Sequence, residues 1–253
     1  MQMLELWTGA PDWYRSTQSG LIVAGLLTLP LLFFVSAPYG RHHRTGWGPT
    51  LPARWGWIGM ELPALLACAV TLVWVQPTLG FAWGLCLLYL LHYAYRSLVY
   101  PFRMRGGDKP KPMLTMVLAV VFNTANGSCI AYDLARVEHL EFSRLAIGFI
   151  LFVVGVAINH HSDGILLRLR QPGETGYKIP YGGLYGLVSA PNYLGELVQW
   201  IGFAVAASTP SAWVFAWFTA CNLLPRAHSH HAWYRAQFAD YPKTRKRVIP
   251  WLW

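Results

Sequence analysis

Residues 190–206, APNYLGELVQWIGFAVA, decide how the chain is interpreted. This apolar run predicts a helix that crosses a membrane. Asn192 and Glu196 lie four positions apart near its start, so both side chains project from one helical face. A carboxylate at membrane depth is energetically costly and usually serves a function. We therefore treat Asn192 and Glu196 as the first candidates for a functional site.

The composition supports a membrane protein. Hydrophobic residues make up 55% of the 253 residues and charged residues only 12%, whereas soluble domains carry about 25% charged residues. Seven apolar windows predict seven transmembrane helices, at residues 19–37, 55–75, 79–99, 113–133, 144–162, 183–206 and 211–225. The last window is short, so we expect its helix to extend past Pro225 or to tilt. No linker is long enough to separate two domains. We therefore predict an all-α integral membrane protein in which residues 1–253 form one seven-helix domain.

Basic residues are distributed unevenly among the predicted loops. Alternate segments sum to twelve net positive charges on one side of the membrane and two net negative charges on the other. Cytosolic loops carry the excess of lysine and arginine. We therefore predict a multi-pass protein of a bacterial inner membrane or the endoplasmic reticulum, with its C-terminus in the cytosol. Membrane topology accounts for the excess of basic residues, so no nucleic-acid partner is expected.

Polar and ionisable residues within the predicted helices are few, and most lie toward the cytosolic ends. They are Glu61, His92, Tyr93, Arg96, Asn123, Asn126, Asn159, Asn192, Glu196 and Asn222. Only Asn123, Asn126 and Asn222 depart from this clustering. The pattern predicts one enclosed cavity that opens to the cytosolic side.

These groups also have structural explanations. A carboxylic acid such as Glu61 can hydrogen-bond a neighbouring helix, and Arg96 can extend its side chain to the membrane surface. Arg226, His230 and Tyr234 form one helical stripe, which also fits an amphipathic helix at the interface. The rarity of glutamate in membrane segments nevertheless favours a function for Glu61.

The densest polar stretch is residues 158–186, INHHSDGILLRLRQPGETGYKIPYGGLYG. Asn159 and Asp163 lie four positions apart at the cytosolic mouth of the fifth predicted helix. Arg168 and Arg170 follow, and arginine suits phosphate because its guanidinium group can bind two oxygens. Two arginines at a cytosolic helix end are also typical of topology alone.

Several other kinds of site are disfavoured. The nine histidines show no HxxxH spacing, and adjacent helical residues point about a hundred degrees apart, so no metal site is predicted. No G-x-G-x-x-G motif follows a strand, which argues against a Rossmann module. The four cysteines show no CxxC spacing and are expected to be buried thiols.

Four stretches together resemble the steroid 5α-reductase family, the membrane 3-oxo-5α-steroid 4-dehydrogenases. The two long ones are NHHSDGILLRLRQPGETGYKIPYGGLYGLVSAPNYLGELVQWIGFA at 159–204 and RAHSHHAWYRAQFADYPKTRKRVIPWLW at 226–253. LPARWGWIGMELP at 51–63 and LHYAYRSLVY at 91–100 match upstream, in the right order. The resemblance is weakest over residues 1–35 and 106–150. We expect a bacterial-type or otherwise divergent member of the family.

The resemblance implies a seven-span reductase that uses NADPH. Members reduce the C4–C5 double bond of a 3-oxo-Δ4 steroid by hydride transfer to the β-carbon of the enone and protonation at the α-carbon. By resemblance, Tyr93 donates a hydrogen bond to the ketone oxygen and Glu61 orients Tyr93. The residues leave open whether Tyr93 or a protonated Glu61 supplies the proton.

The resemblance also assigns the cofactor side, mainly in the C-terminal half, whereas the N-terminal helices mainly hold substrate. Asn192 and Glu196 match cofactor ligands, and the other matching positions lie nearer the helix ends and in the loops. These positions are Arg96, Arg103, Arg105, Asn159, Asp163, Arg170, Tyr177, Lys178, Arg226, His230 and Tyr234.

Two residues depart from the mammalian pattern. Met60 stands where the mammalian enzymes have glutamine, which removes a possible amide contact to the substrate ketone. Lys178 stands where they have arginine, which changes the geometry available to a phosphate.

Other functions remain open at this level. Related multi-span enzymes include enoyl-thioester reductases, sterol-ring reductases and isoprenylcysteine carboxyl methyltransferases, the last of which use S-adenosylmethionine. A small transporter or receptor is the non-enzymatic alternative. We expect a monomer whose partners are an apolar enone or steroid and membrane lipid.

Overall fold

The computed structural model describes residues 2–38, 40–76, 82–171, 174 and 176–253. Helices dominate these residues, as the sequence predicts. The helices are α1 (Gln2–Thr8), α2 (Asp12–Phe34), α3 (Ala53–Val75), α4 (Ala82–Ala94), α5 (Tyr100–Arg103), α6 (Met113–Ala135), α7 (Phe142–Arg168), α8 (Pro191–Ala207) and α9 (Pro210–Gln237). A π-helical turn, Tyr95–Val99, joins α4 to α5, and 3-10 turns occur at Gly40–His42 and Gly183–Gly186. Two short strands, β1 (Thr50–Pro52) and β2 (Pro110–Pro112), pair antiparallel.

Four of the described helices, α2, α3, α6 and α7, are long and apolar enough to cross a membrane. Their outward faces expose large apolar side chains, among them Leu27, Val73, Val121 and Ile150. Lipid can cover such a surface, whereas contiguous apolar patches of this extent are rare on soluble monomers. The protein is therefore a membrane protein, and the total of seven spans stays a prediction.

Several predicted helices differ from their expected bounds. Helix α2 begins at Asp12 rather than at 19, and α7 ends at Arg168 rather than at 162. Residues 79–81 of the third lie outside the described residues, and the helix continues from α4 through the π turn into α5. The sixth begins at Pro191 rather than at 183, because Gly182 and Gly183 have positive φ angles of 93° and 50° and turn the chain. The last extends through Pro225 to Gln237, which is one of the two outcomes expected for its short window.

Helices α7 and α8 pack antiparallel along a seam of glycines. A Cβ atom on Gly155 would lie 2.3 Å from the backbone nitrogen of Gln199, and one on Gly202 would lie 2.5 Å from that of Phe152. Such distances show that the two backbones touch directly, as small residues permit between membrane helices. The close approach brings the polar residues of the two helices to the same level.

Helices α3 and α6 run parallel. Asn123 donates to the carbonyl oxygen of Met60 at 2.5 Å. A Cβ on Gly127, one turn further along α6, would lie 2.7 Å from the carbonyl oxygen of Ala64, one turn further along α3. Strands β1 and β2 join the starts of the two helices, so both begin at the same end of the bundle.

An aromatic core lies in the middle of the bundle. Trp200 of α8 contacts Phe215 of α9, with ring centroids 4.4 Å apart, and lies near Tyr93 and Tyr89 of α4. These rings form the apolar floor beneath the polar residues of α3, the π turn, α7 and α8. We call the end of the bundle that carries those polar residues the site end.

The opposite end is fixed by a separate buried group. The hydroxyl of Tyr14 donates to Asp133 Oδ2 at 2.6 Å, and the backbone nitrogen of Ser211 donates to the same oxygen at 2.9 Å. This carboxylate therefore joins α2, α6 and the start of α9. All four cysteines are buried and free, as predicted.

The C-terminal tail is part of the site end. Val188 and Lys246 form a parallel bridge, and the backbone nitrogen of Ala190 donates to the carbonyl oxygen of Arg247. The tail thereby holds the segment that leads directly into α8 and its Asn192.

Candidate active site

Arg96 lies at the centre of the site end. Its guanidinium group is 3.1 Å from Glu61 Oε1 and 3.5 Å from Glu196 Oε1, so it joins α3 to α8. All three side chains are 12–18% exposed. The residue belongs to the π turn Tyr95–Val99, and such wide turns occur frequently at functional sites. Two carboxylates and one guanidinium thus form a largely buried charged cluster.

The cluster continues into α7 through amide groups. The side-chain nitrogen of Asn159 donates to the carbonyl oxygen of Asn192 at 3.1 Å and to Glu196 Oε1 at 3.4 Å. Asn192 in turn donates its own amide to Asp163 Oδ1 at 3.1 Å. The structure therefore brings five predicted cofactor residues, Arg96 included, into one connected network.

Tyr93 lies one helical turn before Arg96 and is buried in the aromatic floor. Its ring stacks on Trp200 with centroids 6.1 Å apart and lies 4.7 Å from the ring of Tyr89. Glu61 accepts its hydrogen bond from Arg96, and no hydrogen bond joins Glu61 to Tyr93 among the described contacts. The two predicted catalytic residues are thus linked through the turn that holds Arg96.

Four predicted cofactor residues lie at the surface of the site end, outside the central network. Arg103 donates to the hydroxyl of Tyr95 at 2.5 Å, and Arg105 donates to the carbonyl oxygen of Arg170. Arg170 itself donates to the carbonyl oxygen of Gly176 at 3.0 Å, and Lys178 pairs with Glu174. These basic groups gather where the loops after α5 and α7 meet.

Arg226 and His230 of α9 line a small pocket with Ser36, Ala37, His42 and Ser229. The rings of His42 and His230 stack with centroids 5.5 Å apart. Burial, together with the charges of Arg41 and Arg226, lowers the pKa of His42 to about 4, so the imidazole is neutral at pH 7. The sequence reasoning missed His42 because it considered adjacent histidines only as metal ligands.

Tyr177 and Tyr234 surround a further residue that the sequence reasoning missed. The guanidinium carbon of Arg41 lies 4.5 Å from the ring centroid of Tyr234, 5.0 Å from that of Trp233 and 5.3 Å from that of Tyr177. Arginine over aromatic faces is a favourable arrangement. The loop after α2 is therefore held against α9 and the loop after α7.

The polar side chains of the site end suit the polar groups of a nucleotide. The described residues contain no group of three or more histidine, cysteine, aspartate or glutamate side chains that could hold a metal ion. Two buried polar atoms have no hydrogen-bond partner among the described residues: the donor Arg41 Nη1 and the ring nitrogen Nε2 of His42, which lines the pocket. Buried donors require an acceptor, which the phosphate oxygens of a nucleotide would supply. The amides and carboxylate of the central network suit the carboxamide and hydroxyl groups of such a molecule.

The sequence matches the family profile described as 3-oxo-5-alpha-steroid 4-dehydrogenase over residues 109–253. It is 45% identical to 3-oxo-5-alpha-steroid 4-dehydrogenase 1 of Bos taurus over 240 residues, which cover 90% of this chain and 92% of the relative. The chain belongs to the 3-oxo-5-alpha-steroid 4-dehydrogenase family. The resemblance drawn from the motifs is therefore confirmed.

Similarity to this family extends beyond vertebrates. The chain is 44% identical to the human 3-oxo-5-alpha-steroid 4-dehydrogenase 1 over 222 residues, or 85% of each chain. It is 40% identical to steroid 5-alpha-reductase DET2 of Arabidopsis thaliana over 259 residues, or 95% of this chain and 97% of the relative. The profile match covers every predicted cofactor residue from Asn159 onward. The other predicted site residues precede the matched segment; they are Glu61, Tyr93, Arg96, Arg103 and Arg105.

Proposed function

We propose that this protein is an NADPH-dependent reductase of the C4–C5 double bond of 3-oxo-Δ4 steroids. The relatives carry the names 3-oxo-5-alpha-steroid 4-dehydrogenase and steroid 5-alpha-reductase. The observation that carries the proposal is the network of Glu61, Arg96, Glu196 and Asn159, which lies directly above the aromatic floor of Tyr93 and Trp200. A polar cofactor and a flat apolar substrate need such a boundary between a polar and an apolar surface.

The residues of α7 and α8 would hold the nicotinamide half of the cofactor. We assign the carboxamide and ribose hydroxyl groups to Asn159, Asn192 and Glu196, since these side chains offer both donors and acceptors. Arg96 would keep Glu196 in place through its ion pair. When bound, NADPH supplies the hydride that adds to the β-carbon of the enone. The network therefore acts by orienting the cofactor over the aromatic floor.

The ketone oxygen needs a hydrogen-bond donor as it becomes an enolate. Glu61 accepts from Arg96, so we assign the donor role to the hydroxyl of Tyr93. Glu61 and Arg96 would then act as positioning residues, because Arg96 lies one turn from Tyr93 on the same helical segment. The surrounding rings exclude water, which strengthens the bond to a developing negative charge.

The proposed topology has seven spans with the site end and the C-terminal tail in the cytosol. Helices α7 and α8, which follow each other in the chain, are antiparallel, whereas α3 and α6 are parallel. Both orientations are consistent with seven segments that cross the membrane in alternate directions. These segments are α2, α3, the segment from α4 to α5, α6, α7, α8 and α9. The positive loops then lie with the site end, where cytosolic NADPH would enter a monomer surrounded by lipid.

The test is turnover by the purified protein in liposomes. NADPH oxidation should require a Δ4-3-ketosteroid such as testosterone or progesterone, and mass spectrometry should detect the 5α-dihydro product. NADP⁺, rather than S-adenosylmethionine, should raise the melting temperature. A protein that is stabilised by S-adenosylmethionine, or that leaves these steroids unreduced, would contradict the proposal.

A further inference from the structure

Lys111 is a nearly buried lysine beside the candidate active site. It lies in strand β2 immediately before α6, and only 3% of the residue is exposed. A lysine side chain is almost never buried to this extent unless it is paired with another group. The residue pairs with Leu51 of β1, so its backbone is fixed where α3 and α6 begin.

The side chain of Lys111 lies along α3 and points toward the central network. A Cβ atom on Gly56 would lie 3.1 Å from Lys111 Cδ, so the absence of a side chain at Gly56 makes room for the aliphatic stem. The ammonium group lies 2.6 Å from Met60 Sδ and 5.2 Å from the ring centroid of Trp57. Met60 directly precedes Glu61. The strand thus delivers a positive charge to the edge of the Glu61–Arg96 pair.

The charged groups around Lys111 come from three other elements. The charges of Arg226 in α9, Glu61 in α3 and Arg96 in the π turn all act on Lys111. Burial and the charge of Arg226 lower the pKa of Lys111 to about 8, and Glu61 offsets only part of this effect. Lys111, which is nearly buried, and Arg226, which lines the pocket, are therefore two cations of separate elements that repel each other electrostatically.

We propose that Lys111 and Arg226 together bind a phosphate group of the dinucleotide. The inference rests on the proposed function and adds a ligand contact that the motifs did not reveal. An anion between an ammonium and a guanidinium group removes their mutual repulsion, and both groups are strong donors to phosphate. Arg226 also lines the pocket with His42 and His230, so the phosphate would lie between that pocket and Met60.

Phosphate binding at this position should change the protonation of the Lys111 side chain, and this change can be measured. With a pKa of about 8, roughly half of the Lys111 side chains are protonated at pH 8 in the protein without nucleotide. A bound phosphate favours the charged ammonium and raises its pKa. Binding of NADP⁺ at pH 8 should therefore take up a substantial fraction of a proton.

The experiment is isothermal titration of the full-length protein in detergent with NADP⁺ at pH 8, in buffers with different ionisation enthalpies. Lys111→Met keeps the length of the stem over Gly56 and should weaken NADP⁺ binding about tenfold or more. It should also abolish the proton uptake. Lys111→Arg should retain most of the affinity and lose the uptake, because guanidinium does not titrate in this range. The exposed Lys243→Met is the matched control and should change neither quantity.

Titration with NAD⁺ shows which phosphate is bound. Equal weakening of NADP⁺ and NAD⁺ by Lys111→Met places the pyrophosphate at Lys111, and weakening of NADP⁺ alone places the 2′-phosphate there. Unchanged affinity and unchanged proton uptake in Lys111→Met would overturn the inference, as would a loss confined to steroid turnover. Failure of the unmodified protein to bind NADP⁺ would instead overturn the proposed function.

Discussion

Gly155 of α7 and Gly195 of α8 face each other so closely that neither position has room for a side chain. A Cβ on Gly155 would lie 2.6 Å from the carbonyl oxygen of Gly195, and a Cβ on Gly195 would lie 2.7 Å from that of Gly155. One turn away, Asn159 bonds to Asn192 and Glu196. The spacing of the two backbones therefore determines whether these polar groups meet.

Gly155→Ala should separate α7 from α8 and weaken nucleotide binding. Overpacking of this kind costs about 1–3 kcal/mol, and the hydrogen bonds of Asn159 should lengthen with it. The melting temperature and NADP⁺ affinity should both fall. Gly84→Ala is the matched control, because nothing lies within 4 Å of a Cβ there. Unchanged NADP⁺ affinity in Gly155→Ala would show that cofactor binding does not require the close packing of α7 and α8 at the glycines.

Glu196→Ala should weaken NADPH binding by about tenfold or more, since hydrogen bonds to charged groups contribute about 1.5–3 kcal/mol. The substitution removes the acceptor of both Arg96 and Asn159. Fluorescence titration of NADPH would measure the change. The exposed Glu138→Ala is the matched control at the opposite end of the bundle. If the affinity of Glu196→Ala stays within twofold of the parent, Glu196 has only a packing role.

Tyr93→Phe should reduce kcat about a hundredfold while KM for the steroid changes little. The hydroxyl group is assigned to a charge that develops only in the transition state, and loss of one such donor typically costs about this factor. The ring remains, so its stacking on Trp200 should persist. Steady-state kinetics would measure both constants, with Tyr132→Phe as the control. A rise in KM alone would make Tyr93 a binding residue, and His230 would be the next candidate donor.

Acidification should loosen the pocket that contains His42. Its folded-state pKa of about 4 lies below the ordinary value of about 6.5. The unfolded chain therefore binds a proton first, and the stabilisation that is present above pH 6.5 is lost as the pH falls toward 4. Solvent screening at this half-buried site limits the effect to the order of 1 kcal/mol.

Thermal unfolding at pH 7.5 and at pH 5 would measure this dependence. His42→Gln should show a smaller fall in melting temperature between the two values than the parent protein does. The exposed His139→Gln should show the same fall as the parent. An identical fall in His42→Gln and the parent would assign the acid sensitivity to other groups.

Reporter fusions should place the C-terminal tail in the cytosol and the N-terminus on the other side. The expectation follows from the excess of basic residues in the tail and in the loops that share its side. Fusion partners that are active in only one compartment would show separately on which side of the membrane each terminus lies. A tail on the outer side would exclude access of cytosolic NADPH to the site end.

The sequence was sufficient for the parts of the fold that depend on local composition. Hydropathy located α3 and α6 closely, whereas α2 begins at Asp12 rather than at 19 and α7 ends at Arg168 rather than at 162. The i, i+4 spacing placed Asn192 and Glu196 on one face. The start of α8 was wrong because an apolar composition concealed the turn at Gly182 and Gly183. Hydrophobic composition predicts which residues can lie in lipid, but it does not predict where glycines with positive φ turn the chain.

The contacts between loops and helices were beyond the sequence. Arg41 and Lys111 lie in basic loops and were counted only as markers of topology. Their importance depends on tertiary neighbours, Tyr234 for Arg41 and Met60 for Lys111. No periodicity specifies which loop folds over which helix. The network around Arg96 was anticipated in its members through family resemblance, but not in its connections.

The π turn at Tyr95–Val99 limits how the length of this chain can vary. A π turn holds one residue more than an ordinary α-helical turn. Deletion of Ala94 or Tyr95, which lie between Tyr93 and Arg96, would rotate these two side chains by about 100° relative to each other. Tyr93 could then stay on Trp200, or Arg96 could stay between Glu61 and Glu196, but both contacts could not persist. The register between aromatic floor and charged cluster is therefore set by the residue count, and single-residue deletions here should be as damaging as loss of either side chain.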